Sequence, residues 1–577
     1  MMLHTLGNWS LATVVPHLAG AATRGPVLQA HPIDYLIMGV YFVFVIAIGV
    51  ITGRGHQTSE DFFLSGRRIP AWITGLAFIS ANLGALEVLG MASQGYEYGM
   101  MTANFYWVGA IPAMVFLGIF MMPFYYGSKV RSVPEYLKKR YNEGTRFINA
   151  LVFAASTPVL SGVSMYGMGL VFHDLLGWNL SVCIWVSAVV VVAYTAMGGL
   201  TASIYNEVLQ FFLIVLGILP MIFIGIEANG GWHHFVQVIH TTHPGYMDTW
   251  KGTGTAAGNP MKIDWMGLVL GLGFVLSFAY WCTDFLVVQR ALAAKDMNAA
   301  RRTPLIAAIP KMFFPFIVIL PGLLALPLIP GLVGGDAHPA HSYNNVMPLM
   351  MGKFYPAGLL GLGLTALLAS FMSGMAGNIT AFNTVFTYDI YGAYLVKDKS
   401  DRHYLWVGRI ITVLGVILSV GTAYWAGSDK SIMDFTQTIF GFVNAPLLAI
   451  FLMGMFSRRT TPWGGFWGLI AGVLAAVGLW ICSHFQQTLF PHSDFLKFNS
   501  PQAGNFWRAF WAFACGLATT WLVSRATAKK PQEAMVGLVY QLTPKPAEDP
   551  ALPLWKRPVF LGIVILIATA ILNYLFW

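Results

Sequence analysis

Charged residues are scarce in this chain. Only 10% of its 577 residues are Asp, Glu, Lys or Arg, whereas 56% are hydrophobic; soluble globular proteins have about 25% charged residues. Many stretches continue for about 20 residues without a charge, which is the length that crosses the hydrocarbon core of a bilayer. The composition excludes a soluble globular protein and predicts an all-α polytopic membrane protein.

Cysteines and catalytic motifs are scarce too. The chain has four cysteines, all in apolar stretches without the spacing of metal ligands, so neither a disulfide framework nor a metal site is predicted. No HExxH motif, no paired carboxylates at helical spacing in a span and no Ser–His–Asp set occurs at membrane depth. The chain is therefore predicted not to be an enzyme. The histidines of residues 231–245 are interpreted as scattered polar residues of an exterior loop.

Apolar stretches of sufficient length predict about 14 transmembrane helices. Their expected limits are 33–53, 71–97, 104–126, 146–174, 178–197, 203–228, 264–289, 304–330, 354–390, 404–426, 431–455, 462–483, 503–524 and 557–576. The first 30 residues lack the basic start and cleavage site of a signal peptide. Residues 1–32 are therefore predicted to form an exterior N-terminal tail.

Lysine and arginine are concentrated in alternate loops, which sets the predicted orientation. About 24 of the 33 basic residues fall in six loops: 53–68, 128–146, 290–302, 397–402, 457–459 and 525–557. These loops are predicted to be cytoplasmic, which places both termini on the exterior side of the cell membrane. Membrane topology thus explains the net charge of +9, and no nucleic-acid partner is predicted.

Four ionisable residues fall inside predicted spans, where burial of a charge is costly: Glu87, Glu207, Asp284 and Lys311. Helix breakers recur at residues 81–90 and 276–284, in the second and seventh spans. Interrupted helices at matching places in two halves are typical of inverted-repeat transporters, in which freed backbone groups bind ions and polar solutes. Small residues also recur at 367–383, where a break and a helix-packing surface are equally good interpretations.

Several segments of the sequence resemble the sodium/solute symporter family, in its sodium–glucose cotransporter branch. The likeness extends from about residue 34 to 480, in order and at matching spacing. The segments are SEDFFLSGRRIPAW (59–72), SVPEYLKKRY (132–141), AMGGLTASIYNEVLQ (196–210), residues 280–322 beginning YWCTDFLVVQRALAAKD, FNTVFTYDIY (382–391) and FLMGMFSRRTTPWGGFWGL (451–469).

The resemblance implies a leucine-transporter-like fold of two inverted repeats with five helices each, and sodium-driven uptake by alternating access. The repeats would be residues 71–228 and 264–455. Residues 33–53 would add a first helix, 462–524 two further helices and 557–577 the last one. Residues 525–556 would form a cytoplasmic linker.

The resemblance also implies a substrate site for a sugar or polyol. Lys311 lies 31 residues after Tyr280, as the sugar-contacting lysine follows the gate tyrosine in relatives, and Trp281 follows the gate. Gln437 matches the family's sugar-contacting glutamine, and Asn82 matches the asparagine of the broken second span.

Three positions of the implied substrate site depart from the family pattern. Glu87 stands where sugar-transporting relatives have glutamine or histidine, and Tyr106 stands where they have glutamate. Ser277 replaces an asparagine of the bacterial pattern. Gain of the carboxylate of Glu87 is interpreted as compensation for its loss at Tyr106, with Lys311 balancing its charge.

The implied coupling ion is sodium, held by oxygens of the broken second span and of the ninth span. The matching residues are Ser80, Leu83, Ser370, Ser373 and Gly374. Gly374 replaces a family serine, so water or Ser370 is expected to complete the coordination. A second cation site in some relatives uses an aspartate that matches Glu207. That site lacks hydroxyls here, because Gly374 and Ala376 replace them.

Alternative functions remain open from the sequence. Proton coupling through Glu87 or Glu207 is one, and a non-transporting membrane sensor is another, although no signalling domain is evident. Among substrates, hexoses, inositol, nucleosides and carboxylates are not distinguished, although Glu87 disfavours an anion.

Overall fold

The structure is a computed structural model that describes residues 30–53, 58–332, 343–426, 431–486, 498–544, 546 and 552–577. Its regular elements are helical, and no β-strand occurs in these ranges. Most of the predicted exterior tail, residues 1–29, lies outside them.

Within the described ranges, sixteen helices or helix segments form the body of the protein. In chain order they are α1 (Pro32–Gly53), α2 (Ala71–Asn82), α3 (Leu86–Ala103), α4 (Phe105–Gly127), α5 (Glu143–Leu176), α6 (Leu180–Ala228), α7 (Gly267–Thr283), α8 (Phe285–Leu292), α9 (Met297–Lys311), α10 (Pro315–Leu328), α11 (Leu359–Leu395), α12 (Asp401–Ala426), α13 (Ile432–Phe456), α14 (Pro462–His484), α15 (Pro501–Ala526) and α16 (Pro558–Leu575).

The number of membrane spans agrees with the prediction of about 14. Nine helices in the described ranges are long and apolar enough to cross a bilayer, or up to 12 when each of three bent pairs is one span. α6 has 49 residues, enough for two crossings. It bends at Gly199, whose φ of +51° favours glycine. The 26-residue α15 is a further predicted span, less apolar than the nine.

Three spans are broken. The bend is 62° between α2 and α3, 47° between α7 and α8, and 44° between α9 and α10. The first two confirm the interruptions predicted at residues 81–90 and 276–284. The third was not predicted. Its helix begins at Met297 rather than 304 and bends after Lys311, ahead of Pro315, which lacks a backbone donor and disfavours helix in the residue before it.

The predicted span 354–390 starts too early. α11 begins at Leu359, because Tyr355 is extended (φ −83°, ψ 126°) before Pro356, as residues preceding proline prefer. Residues 367–383 form uninterrupted helix, which favours the packing interpretation of their small residues. Among the nine unbroken spans of the described ranges, α11 is the most buried, and it contacts α1, α5 and α6.

Side-chain caps fix where several helices begin. Asn142 accepts a hydrogen bond from the Thr145 amide at 2.9 Å at the start of α5. Asp296 accepts one from the Ala299 amide at 2.7 Å at the start of α9. Each cap satisfies an amide that has no partner within the helix. The cap at Asp296 starts the helix that carries Lys311.

Candidate functional site

The break between α2 and α3 brings backbone groups into the protein interior. α2 ends at Asn82, Leu83 leaves helical geometry (φ −76°, ψ 43°), and α3 resumes at Leu86. The last carbonyls of a helix have no partner within it. The break around Gly84 therefore places backbone carbonyl oxygens of α2 next to the side chains that begin α3.

A cavity of about 100 Å³ lies at this break. It is smaller than the about 300–1,000 Å³ of pockets that hold drug-sized ligands, so the side chains close on one another in this conformation. All seven predicted substrate residues line it: Asn82, Glu87, Ser277, Tyr280, Trp281, Lys311 and Gln437. The fold thus brings residues of five separate helices to one place.

Lys311 and Glu87 form a buried ion pair across the cavity. The Lys311 ammonium also donates to Asn82 Oδ1 at 2.5 Å. It lies over the ring faces of Tyr106 at 4.7 Å and Trp281 at 5.2 Å, where an aromatic quadrupole attracts a cation. The two charges of this pair balance each other. Asp284 also lines the cavity, and its carboxylate accepts hydrogen bonds from the Leu286 amide and from Asn444.

An aromatic layer closes the cavity beside the ion pair. The Tyr280 hydroxyl accepts a hydrogen bond from Asn82 Nδ2 at 3.1 Å, and its ring lies 4.9 Å from that of Phe440. Trp281 stacks on Phe78 with ring centroids 5.7 Å apart. The layer offers flat apolar surfaces next to hydrogen-bonding groups.

Gln437 and Tyr106 are polar residues of the cavity that keep hydrogen-bonding capacity. Among the described residues, the hydrogen-bond partner of Gln437 Nε2 is the thioether of Met433, at 3.9 Å, and sulfur is a weak acceptor. The Tyr106 hydroxyl lies beside Glu87 and makes no hydrogen bond of normal geometry with the described residues. An unsatisfied buried polar group costs about 1–3 kcal/mol, so both groups fit hydroxyls of a bound solute.

The predicted sodium residues lie directly behind the break. The Ser373 hydroxyl donates to the Ser80 carbonyl at 2.8 Å and lies 3.3 Å from the Ser80 hydroxyl. Ser370 Oγ is buried and has no partner within the described chain. Leu83 and Gly374 lie at the same contact between the break and α11. Clustered hydroxyl and carbonyl oxygens fit a hard cation such as sodium.

Glu207 is not part of the cavity. Its carboxylate accepts from Arg290 at 2.5 Å and 3.2 Å and from the Ser203 hydroxyl at 2.8 Å, and both charged side chains are fully buried. This geometry favours an ion pair that joins α6 to α8. Its predicted role as a second cation or proton ligand gains no support from these contacts.

Asp284 has a structural role that the sequence analysis did not assign. Its Oδ1 accepts from the Leu286 amide at 2.9 Å, which caps α8, and its Oδ2 accepts from Asn444 at 3.3 Å. The sequence signal was an acidic residue one position before the resumed helix.

No cluster of His, Cys, Asp or Glu with metal-site geometry occurs in the described residues, the histidines among 231–245 included.

Comparison with known proteins agrees with this architecture. The model of the sodium:solute symporter family matches residues 62–472. The sodium/glucose cotransporter of Vibrio parahaemolyticus is 28% identical over 78% of this chain and 85% of its own length. Sodium/glucose cotransporter 1 of Ovis aries is 30% identical over 77% of this chain and 71% of its own length.

Two solved structures share the fold. A Na⁺-coupled sialic acid symporter in a substrate-bound outward-open state superimposes with a TM-score of 0.71 at 19% identity, over 86% of this chain and 99% of its own. The nucleobase-cation-symport-1 family transporter Mhp1 superimposes with a TM-score of 0.51 at 10% identity, over 83% of this chain and 98% of its own. They confirm the leucine-transporter-like fold. The chain is a sodium-coupled transporter, not an enzyme, and belongs to the sodium:solute symporter family.

Proposed function

We propose that this protein couples sodium entry to the uptake of a sugar or a related uncharged polyol. The observation that carries the proposal is the paired charge in the cavity: the Lys311 ammonium and the Glu87 carboxylate bind each other and lie, with the amides of Asn82 and Gln437, beside aromatic rings. The ammonium donates to sugar hydroxyls and the carboxylate accepts from them, and such charge-assisted hydrogen bonds are about twice as strong as neutral ones. The names of the sodium/glucose cotransporter relatives support the same class of substrate.

The substrate ligands in this proposal are Asn82, Glu87, Ser277, Tyr280, Trp281, Lys311 and Gln437. Sodium binds at Ser80, Leu83, Ser370, Ser373 and Gly374. We further propose that the protein lies in the cell membrane with both termini outside, which the basic loops support.

Transport into proteoliposomes tests the substrate class. An inward sodium gradient should drive accumulation of labelled glucose, and excess unlabelled hexose or inositol should compete, because both are uncharged polyols. A potassium gradient of equal osmolarity is the control. Competition by sugar acids or other carboxylates alone, with none by neutral sugars, would contradict the proposal.

A single substitution tests the proposed substrate contacts. Gln437→Ala should raise KM for the sugar about tenfold, the effect of losing roughly one hydrogen bond, and leave the sodium concentration for half-maximal uptake unchanged. Gln541→Ala is the matched control, since Gln541 is exposed and contacts the Phe456 carbonyl outside the cavity. Equal KM values for the two variants would remove Gln437 from the site.

A further inference from the structure

Ser164 of α5 places an unused hydroxyl on the wall of the cavity. Its side chain is only 4% exposed and lines the cavity together with Gly84 and Gly374. Within the described residues the hydroxyl takes part in no hydrogen bond, although a buried hydroxyl without a partner is costly. Nothing in the substrate contacts described above uses it.

The Ser164 hydroxyl occupies space that a side chain at position 374 would need. A Cβ built on Gly374 would lie 2.9 Å from Ser164 Oγ and 3.1 Å from Gly84 Cα. A Cβ built on Gly84 would lie 3.3 Å from Gly374 Cα and 3.5 Å from Ser164 Oγ. The two glycines therefore let α11 approach the break closely, and Ser164 fills the remaining gap with an oxygen.

The same contact holds the oxygens assigned to sodium. Gly374 directly follows Ser373, whose hydroxyl is 2.8 Å from the Ser80 carbonyl. Ser370, one turn earlier on α11, has a buried hydroxyl with no partner among the described residues. A cation at this contact would have hydroxyls available from α11 and, through Ser164, from α5.

We propose that Ser164 is a sodium ligand and supplies from α5 the hydroxyl that Gly374 lacks. The inference rests on the proposed assignment of the sodium site and extends it by one residue from a third element. A ligand on α5 would also tie that helix to the α2–α11 contact whenever sodium is bound.

Sodium binding to the purified protein tests this inference without transport. The midpoint of thermal unfolding is measured while sodium replaces choline at constant ionic strength, since a ligand that binds the folded state raises stability with its concentration. Ser164→Ala should raise the half-saturating sodium concentration about tenfold, as expected for losing one oxygen contact to a charge. Ser164→Cys keeps the shape of the side chain but replaces oxygen with a larger, softer sulfur, so it should weaken sodium binding as well.

An exchange of positions separates coordination from packing. Gly374→Ser alone should lower stability, because its Cβ would press on Ser164 Oγ. The double variant Ser164→Gly with Gly374→Ser should recover both stability and sodium affinity, since the hydroxyl returns from α11. The control is Ser187→Ala, because Ser187 is fully buried but its hydroxyl bonds to Cys183 of its own helix; it should bind sodium as the wild type does.

The outcomes distinguish this inference from the function on which it rests. Wild-type sodium affinity in both Ser164→Ala and Ser164→Cys overturns the role of Ser164 and leaves sodium-coupled uptake intact. If the double variant recovers neither stability nor sodium affinity relative to Gly374→Ser, the proposed role of Ser164 is also contradicted. If sodium does not stabilise even the wild type, the proposed sodium site and this inference fall together.

Discussion

At the scale of single residues, the ion pair of Lys311 and Glu87 links stability to the proposed binding of the solute. A buried pair contributes little in total, but removing one partner costs about 3–5 kcal/mol because the other charge stays buried and unpaired. The pair lies at membrane depth, where an isolated charge is especially unfavourable. The two residues therefore depend on each other for stability, and their proposed contacts with the solute depend on the same pair.

This dependence predicts non-additive effects. Glu87→Ala should lower the free energy of unfolding by about 3–5 kcal/mol and abolish uptake, since Lys311 keeps its charge. Combining Glu87→Gln with Lys311→Met should restore most of the stability but not uptake, because the charged donor and acceptor are both gone. Thermal unfolding and uptake of the variants measure the two effects. A double variant less stable than Glu87→Ala would show that the pair is not the reason for the loss.

Among residues, those that the structure gathers around the cavity could be named from the sequence, whereas Ser164 could not. Lys311, Tyr280 and Gln437 stand at recognisable spacing, and Glu87 is conspicuous as a charge in an apolar span. Ser164 lies in an ordinary run of small and apolar residues, and only its contact with Gly84 and Gly374 marks it. Such a contact depends on tertiary packing, which the local sequence does not encode.

At the scale of elements, close packing of helices holds the broken spans together. α3 crosses α10 where Gly322 meets the backbone of Ala92: a Cβ on Gly322 would lie 1.9 Å from the Ala92 carbonyl oxygen. Since no real Cβ approaches a backbone atom so closely, the helices would have to separate to accommodate a side chain. Interfaces between membrane helices depend on such small residues.

A pair of glycine substitutions tests this packing. Gly322→Ala should lower the thermal unfolding midpoint and reduce folded yield, because α3 and α10 are forced apart. Gly421→Ala on α12 is the control: nothing lies within 4 Å of its added Cβ, so the higher helix propensity of alanine should leave stability equal or raise it by up to about 1 kcal/mol. Equal behaviour of the two variants would contradict the close α3–α10 contact.

The bends of the elements were only partly predictable. Glycines and polar residues marked the breaks after Asn82 and Thr283. The bend after Lys311 was missed, although Pro310 and Pro315 flank it, because proline is tolerated in membrane helices when neighbours satisfy the freed groups. The contact of Glu207 with Arg290 was missed for another reason: Arg290 was counted as a cytoplasmic loop residue, whereas the helix continues to Leu292 and buries it.

At the scale of the whole molecule, labelling of cysteines placed on the two sides of the membrane tests the proposed orientation. Lys251 belongs to the predicted exterior loop and Lys399 to a predicted cytoplasmic loop. In right-side-out vesicles, a membrane-impermeant maleimide should label Lys251→Cys and spare Lys399→Cys until the membrane is permeabilised. The unsubstituted protein is the control, because its labelling measures the background from the four native cysteines. The reverse pattern would invert the proposed topology.

The central claim is that sodium and an uncharged sugar occupy adjoining sites and cross the membrane together. Coupling between two bound ligands is reciprocal, so each must favour binding of the other. The most direct measurement follows labelled sodium and labelled glucose entering the same proteoliposomes. We predict that each solute accelerates entry of the other in a fixed ratio, and that Lys311→Ala abolishes both accelerations. Sodium entry that is indifferent to every uncharged sugar and polyol would contradict the account.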